Sequence, residues 1–179
     1  LTLYDLICGL LLQSGNDCAA AIAEHISGSQ EAFAELMNTE AKQLGATGTH
    51  FVNPHGLHDE NHYTTTYDLY LMFNEALKDQ AFLDIISMNS YTAKVTSADG
   101  TSYTPTWQAT NYYSAGEATP PDGIHVYGGK TGTTDQAGNC VILYEKNTAG
   151  EPYISVIMGA SDKPLLYEEM NELLDAGMK

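Results

Sequence analysis

Apolar residues at Leu3, Leu6, Ile7, Leu10 and Leu11 recur at helical spacing, and Thr2 followed by Asp5 supplies a capping box. The chain therefore opens with a helix to about Gln13. Ser14-Gly15-Asn16 breaks the pattern with three turn-forming residues, and helical spacing resumes from Asp17 to Ile26 with alanines that favour close packing. The tripeptide is expected in a tight link between two apolar helices. A third helix is predicted from Gln30 to Leu44, capped by Ser29 and stopped by Gly45, with Phe33, Leu36, Met37 and Leu44 on one face.

Thr49 to Asn53 is expected to be extended, ahead of a turn at Asn53-Pro54-His55-Gly56. Thr65 with Asp68 caps another helix through Tyr70, Met72, Phe73 and Leu77, and a shorter one follows around Ala81 to Ile86. From Tyr91 the period shortens to alternation: Tyr91 to Thr96 and Ser102 to Thr104 flank Ala98-Asp99-Gly100 as a hairpin. Beyond a Gly/Pro-rich connection at Ala115 to Gly123, strands are predicted over His125 to Thr133, Asn139 to Lys146 and Tyr153 to Ala160, the last two joined by a turn at Asn147 to Pro152. Leu165 to Met178 closes the chain as a helix with Leu166, Met170, Leu173 and Leu174 on its apolar side. Helices, then antiparallel strands, then a helix describe an α+β fold, a helical cluster packed on an antiparallel sheet, better than repeating βαβ units.

Length and composition narrow the class. The 179 residues, 43% of them apolar, suit one globular domain with a proper core. Seven basic residues against 23 acidic give a net charge of −16, which repels phosphates and offers no basic stripe to an anionic membrane, so no nucleic-acid partner is expected. No apolar run approaches a bilayer span, and no export signal opens the chain; any signal or anchor is expected outside these residues, and the abrupt start at Leu1 without Met suggests upstream sequence. Cys8, Cys18 and Cys140 are odd in number and widely spaced, so each is expected to be a small buried hydrophobe.

Two short stretches carry candidate chemistry. Lys130-Thr131-Gly132-Thr133, preceded by Gly128-Gly129, stands on a predicted strand. An ammonium and threonine hydroxyls can satisfy a carboxylate with charge-assisted hydrogen bonds, and glycine lets a ligand lie against a strand edge without meeting a side chain. In the helix link, the Ser14 hydroxyl can shuttle a proton and the Asn16 amide can bond both a lysine and a substrate carbonyl. Either stretch alone is commonplace. In this order they are similar to the set S-x-x-K, S-D-N or a variant, then K-T-G, of β-lactamases and penicillin-binding proteins.

The segment Leu10 to Asp17, with glycine between Ser14 and Asn16, resembles the second motif of the low-molecular-mass penicillin-binding D-alanyl-D-alanine carboxypeptidases. Gly45 to Leu57, Gly128 to Gly138 and Ile154 to Gly159 resemble the same family, so the likeness covers nearly the whole chain. It implies a β-lactamase/D,D-peptidase (transpeptidase-like) fold, incomplete at the N-terminus, with residues 1–179 as a single partial domain. It also implies an extracytoplasmic location, secreted or anchored at the cell envelope, and no cofactor or metal. The implied partners are peptidoglycan stem peptides ending in D-Ala-D-Ala, and β-lactams, which imitate that dipeptide.

The resemblance also assigns roles. A serine from S-x-x-K attacks the carbonyl between the two D-alanines, and water hydrolyses the acyl-enzyme. Ser14 would pass protons near the leaving group, Asn16 would orient substrate, and Lys130 would steer Ser14 and the terminal carboxylate. Thr131 and Thr133 would add hydroxyl contacts beside Gly132, the Thr133 backbone N–H serving as one of two oxyanion donors. No serine here has lysine three positions later, Thr39-Glu40-Ala41-Lys42 coming closest on a helix face, and only thirteen residues precede Ser14. The chain alone is accordingly expected to be inactive, to expose apolar surface and a sheet edge, and to need a separate N-terminal segment or self-association.

Other readings are weaker. Gly129-Lys130-Thr131 lacks the glycine spacing of a P-loop and precedes a strand. His50, His55, His58 and His62 lie in a turn-rich segment without helical ligand spacing. A class A β-lactamase has S-D-N and a deacylating glutamate between its motifs, whereas Glu168-Glu169-Met170-Asn171 follows K-T-G. The alternative from another class is a non-catalytic peptidoglycan-binding or structural relative of the same fold.

Overall fold

The structure, a computed structural model, describes residues 1–177. Helix α1 (Leu3–Gln13) begins as its capping box requires, with Thr2 Oγ1 accepting from the Asp5 N–H at 3.1 Å and Asp5 Oδ2 accepting from the Thr2 N–H at 2.7 Å. The buried Asp5 carboxylate also receives the Tyr91 hydroxyl at 2.7 Å. These bonds, the Thr2 backbone bond above all, hold its pKa below the usual carboxylate range and tie α1 to the hairpin 86 residues away in sequence.

Helices α2 (Asn16–Ser27) and α3 (Gln30–Gln43) follow. Ser29 caps α3 as expected, but the helix buries Ala34 and Ala41 and leaves Leu36 40% exposed. Of the predicted face Phe33, Met37 and Leu44 are half-buried, and the fully buried positions are the two alanines. The stretch Thr49 to Asn53 contributes only the bridge between His50 and Tyr63, and Asn53 Oδ1 closes the next turn by accepting from the Gly56 N–H at 2.7 Å. Helices α4 (Thr66–Ala76) and α5 (Gln80–Ile86) lie where their caps, Thr65 and Asp79, place them.

The hairpin is two-tiered. Strand β2 (Val95–Thr96) pairs with β3 (Ser102–Tyr103), and β1 (Ser90–Thr92) pairs with β4 (Thr106–Gln108) beyond the predicted end at Thr104. The ladder breaks at Pro105, which has no N–H to give but whose carbonyl accepts from Ala93. It then resumes so that Trp107 stacks on Tyr91. A single helical turn, α6 (Tyr112–Ala115), was not predicted; Asn111 Oδ1 caps it at the Tyr113 N–H.

Strands β5 (Ile124–Thr134), β6 (Gly138–Asn147) and β7 (Pro152–Ala160) form an antiparallel sheet in that order. Helix α7 (Lys163–Gly177) covers one face, where Leu166, Tyr167, Met170 and Leu174 pack on Val141, Leu143 and Ala160. Its buried stripe includes Tyr167 and excludes Leu173, which is 42% exposed; Met178, included in the predicted helix, lies outside the described residues. The opposite face of the sheet packs Ile142 against Phe73 of α4 and Ile86 of α5. Cys8 and Cys18 are buried as expected, whereas Cys140 is only half-buried near the sheet end, its thiol donating to the Ala137 carbonyl. Among the described residues no helix is long and apolar enough to cross a membrane.

One approach fixes these layers. At Gly128, just past a bulge in β5, an added Cβ would overlap the Ile86 carbonyl oxygen at the end of α5. Backbone meets backbone there, so neither side can yield by turning a side chain. Gly128→Ala is expected to destabilise the fold by about 2–3 kcal/mol, as overpacked sites do, measured by urea unfolding. A loss below about 0.5 kcal/mol would show that α5 is free to shift.

Candidate active site

The site begins with how α1 ends. Ser14 takes a left-handed backbone conformation, φ 56° and ψ 41°, and is the one non-glycine residue with positive φ among the described residues. Such a conformation is costly for serine and persists where surrounding contacts impose it. Here the imposing contacts gather around the buried Cys18: a Cβ at Gly9 would lie 2.8 Å from its Sγ and one at Gly15 3.0 Å. With those two glycines α2 folds back tightly on α1, and the Gly15 N–H donates to the Gly9 carbonyl at 3.2 Å. The link is therefore Ser14 and Gly15 alone. Asn16 is already the first residue of α2, exposed, and its side chain makes no hydrogen bond among the described residues.

Strand β5 brings the second half. The Lys130 ammonium donates to Ser14 Oγ, joining residues 116 apart in sequence, and to its neighbour's carbonyl, Thr131 O, at 2.6 Å. No carboxylate pairs with Lys130 among the described residues. Burial strips water from the ammonium and pulls its pKa from 10.5 down to about 8. A partly desolvated cation without a counter-ion, inside a strongly acidic chain, favours an incoming anion.

Strand alternation separates the remaining candidates. Lys130 and Gly132 pair with Ile142 and Cys140 on the α4/α5 face, while Thr131 and Thr133 pair with Val141 and Asn139 on the other. Thr131 Oγ1 lies 2.6 Å from Thr110 Oγ1, and Thr133 Oγ1 donates to Asn139 Oδ1 at 3.2 Å. The structure thus brings Ser14 and Lys130 together and engages both threonine hydroxyls elsewhere. Thr110, in the loop before α6, was missed because nothing in its local sequence marks it. A Cβ at Gly132 would meet nothing within 4 Å, and β5 has no strand beyond it among the described residues, so its edge beside Lys130 is open.

Two hollows flank the contact. A groove of about 190 Å³ at the foot of Lys130 is lined chiefly by Leu69, Cys140, Ile142 and Ile157. A wider cleft of about 520 Å³ runs between α1, α2 and the hairpin, past Gln13, Gly15, Tyr103 and Trp107.

A serine at a strained helix end is thus bonded to a lysine on an open edge strand. Residues 1–162 match the D-alanyl-D-alanine carboxypeptidase family, and the chain belongs to that family. It is similar to the D-alanyl-D-alanine carboxypeptidase DacF of Bacillus subtilis, 31% identical over 175 residues, covering 98% of this chain and 42% of that protein. DacA of Haemophilus influenzae is 33% identical over 175 residues, covering 97% and 41%. The DD-transpeptidase of Streptomyces K15 superposes with a TM-score of 0.88 at 28% identity, covering 99% of this chain and 68% of that one. A D-alanyl-D-alanine carboxypeptidase from Mycobacterium tuberculosis gives 0.83 at 27%, covering 99% and 64%. The α+β transpeptidase-like fold is therefore established, and the chain spans about two fifths of the length of the first two relatives.

The Lys130 environment makes a titration prediction. In nitrogen-15 NMR the Lys130 Nζ is expected to lose its proton with a midpoint near pH 8. The native state holds this proton less tightly than an unfolded chain does, so this group makes stability rise with pH between about 8 and about 10.5. A midpoint above 10 would contradict the desolvated setting.

Proposed function

We propose that this chain is part of a serine-type D-Ala-D-Ala carboxypeptidase that trims peptidoglycan stem peptides outside the cytoplasmic membrane and binds penicillins. The observation that carries the reading is the Lys130–Ser14 contact, which joins the K-T-G strand to the Ser-Gly-Asn turn. In this reading residues 1–179 belong to one partial domain.

The roles follow from position. The Lys130 ammonium takes the terminal carboxylate of the substrate, and the open edge at Gly132 lets the peptide run along β5 as an added strand. Ser14 Oγ, held by Lys130, relays a proton to the leaving D-alanine nitrogen, and the unengaged Asn16 amide is available to the substrate carbonyl. The Thr133 N–H supplies one donor to the oxyanion. Thr131 and Thr133 must release Thr110 and Asn139 if their hydroxyls are to touch substrate.

The 179 residues hold no serine with lysine three positions later. We therefore assign the attacking hydroxyl to a segment beyond them, seated on the apolar groove beside Lys130, and expect the chain alone to be inactive. The same absence favours a second reading, a non-catalytic peptidoglycan-binding relative. Intact-protein mass spectrometry after incubation with benzylpenicillin separates the two. The expected result is no adduct on the 179-residue chain and a covalent adduct on the product of the whole gene. An adduct on the chain itself would overturn the assignment of the nucleophile; no adduct on the whole product would favour the non-catalytic relative.

A further inference from the structure

On the α7 face of the sheet, strand β6 presents Val141, Leu143 and then Glu145, so a carboxyl stands where the pattern calls for a third apolar side chain. Glu145 is 2% exposed, and its Oε1 accepts from Ser155 Oγ at 2.6 Å. Its Oε2 is buried without a hydrogen-bond partner among the described residues. Glu145 lies at the seam where Leu173, Leu174 and Gly177 of α7 meet the sheet, beside a space of about 20 Å³, room for about one water.

Among the described residues no cation faces this carboxyl, and only the Ser155 hydroxyl favours its charge. On its own strand, Lys146 is turned to the opposite face, its ammonium 5.1 Å from the Tyr127 ring centroid and 5.8 Å from that of Tyr144. From β5 come Ile124 and Val126, and from β7 come Ser155 and Tyr153, whose hydroxyl donates to Glu151 at 3.2 Å. From α6, Tyr113 spends its hydroxyl on Asn171, and its own pKa is raised by burial, by Tyr167 and by Glu145. From α7 come Leu173, Leu174 and Gly177 and the carbonyl-rich, negative end of the helix, while its acids Glu172 and Asp175 are exposed. An ionised carboxylate under that helix end is opposed by burial and by the helix dipole.

We propose that Glu145 is a proton-controlled latch for the last turn of α7: uncharged, it lets residues 173–177 seat on the sheet, and ionised, it draws water into the seam and lifts that turn. Burial raises its pKa from 4.5 to about 7, countered in part by the Ser155 bond. The native state therefore binds this proton more tightly than the unfolded chain. The stabilisation it brings is full below about pH 4.5 and is lost as pH rises through about 7. The latch sits on the face opposite Lys130 and is independent of the catalytic reading.

The test is amide hydrogen exchange of residues 170–177 in the full chain between pH 5 and 9, corrected for the intrinsic pH dependence of exchange. Protection is expected to fall at least tenfold across a midpoint near pH 7. In Glu145→Gln and Glu145→Leu it should stay flat. Equal pH dependence in the wild type and a folded variant, or unchanged protection in the wild type, overturns the proposal. Carbon-13 titration of the wild-type Glu145 carboxyl needs no variant: a midpoint near 7 supports the latch, and one below 5 overturns it.

Discussion

The contact on which the rest depends is the approach of two backbones, the end of α5 onto Gly128 of β5. Only a residue without a side chain leaves room for the Ile86 carbonyl there, and that seats α5 on the sheet. Helix α1 then packs on α5 through Cys8, Leu12 and Ile85. The end of α1 thereby arrives over β5, where Ser14 meets Lys130. A second set of close approaches, Gly9 and Gly15 against the Cys18 sulfur, holds Ser14 in its left-handed turn. Glycines therefore determine the position of a serine and a lysine to which they make no side-chain contact.

The three-stranded sheet carries two desolvated titratable groups, one basic and one acidic, on opposite faces. Among the described residues Lys130 faces α4 and α5 without a carboxylate partner, and Glu145 faces α7 without a cation. Burial pushes both toward their neutral forms, one pKa down to about 8 and the other up to about 7. They differ in access. A groove across the sheet opens at Lys130, whereas Glu145 is closed beneath a helix end. The first placement suits the reception of an external anion, and the second suits coupling a proton to the seating of that helix.

Much of this fold was legible because its signals are local. Thr2 with Asp5, Ser29 and Thr65 marked helix starts, and alternation over the final strands gave β5, β6 and β7 to within a residue or two. What escaped depends on partners distant in sequence. Strand β4 exists because Trp107 finds Tyr91, and α6 is one turn, too short to show a period. The stripes of α3 and α7 were misread at Leu36 and Leu173 because burial is decided by the neighbouring element, Ala34 and Ala41 serving in one helix and Tyr167 in the other. The pairing of Ser14 with Lys130 came from motif resemblance. Thr110 and the buried Glu145 carried no local sequence signal, each being followed by another polar residue, Asn111 and Lys146.

The central claim is that Lys130 and Ser14 form the carboxylate-receiving centre of a D-Ala-D-Ala enzyme. It is tested most directly by NMR titration of the chain with a peptide ending in D-Ala-D-Ala, beside the same peptide with its terminal carboxyl amidated. The account predicts that the acid form shifts the Lys130 side-chain signal and the Ser14 and Gly132 amides, and that the amidated form leaves them unmoved. Equal shifts from both peptides, or shifts from the acid form confined to other parts of the molecule, would contradict it.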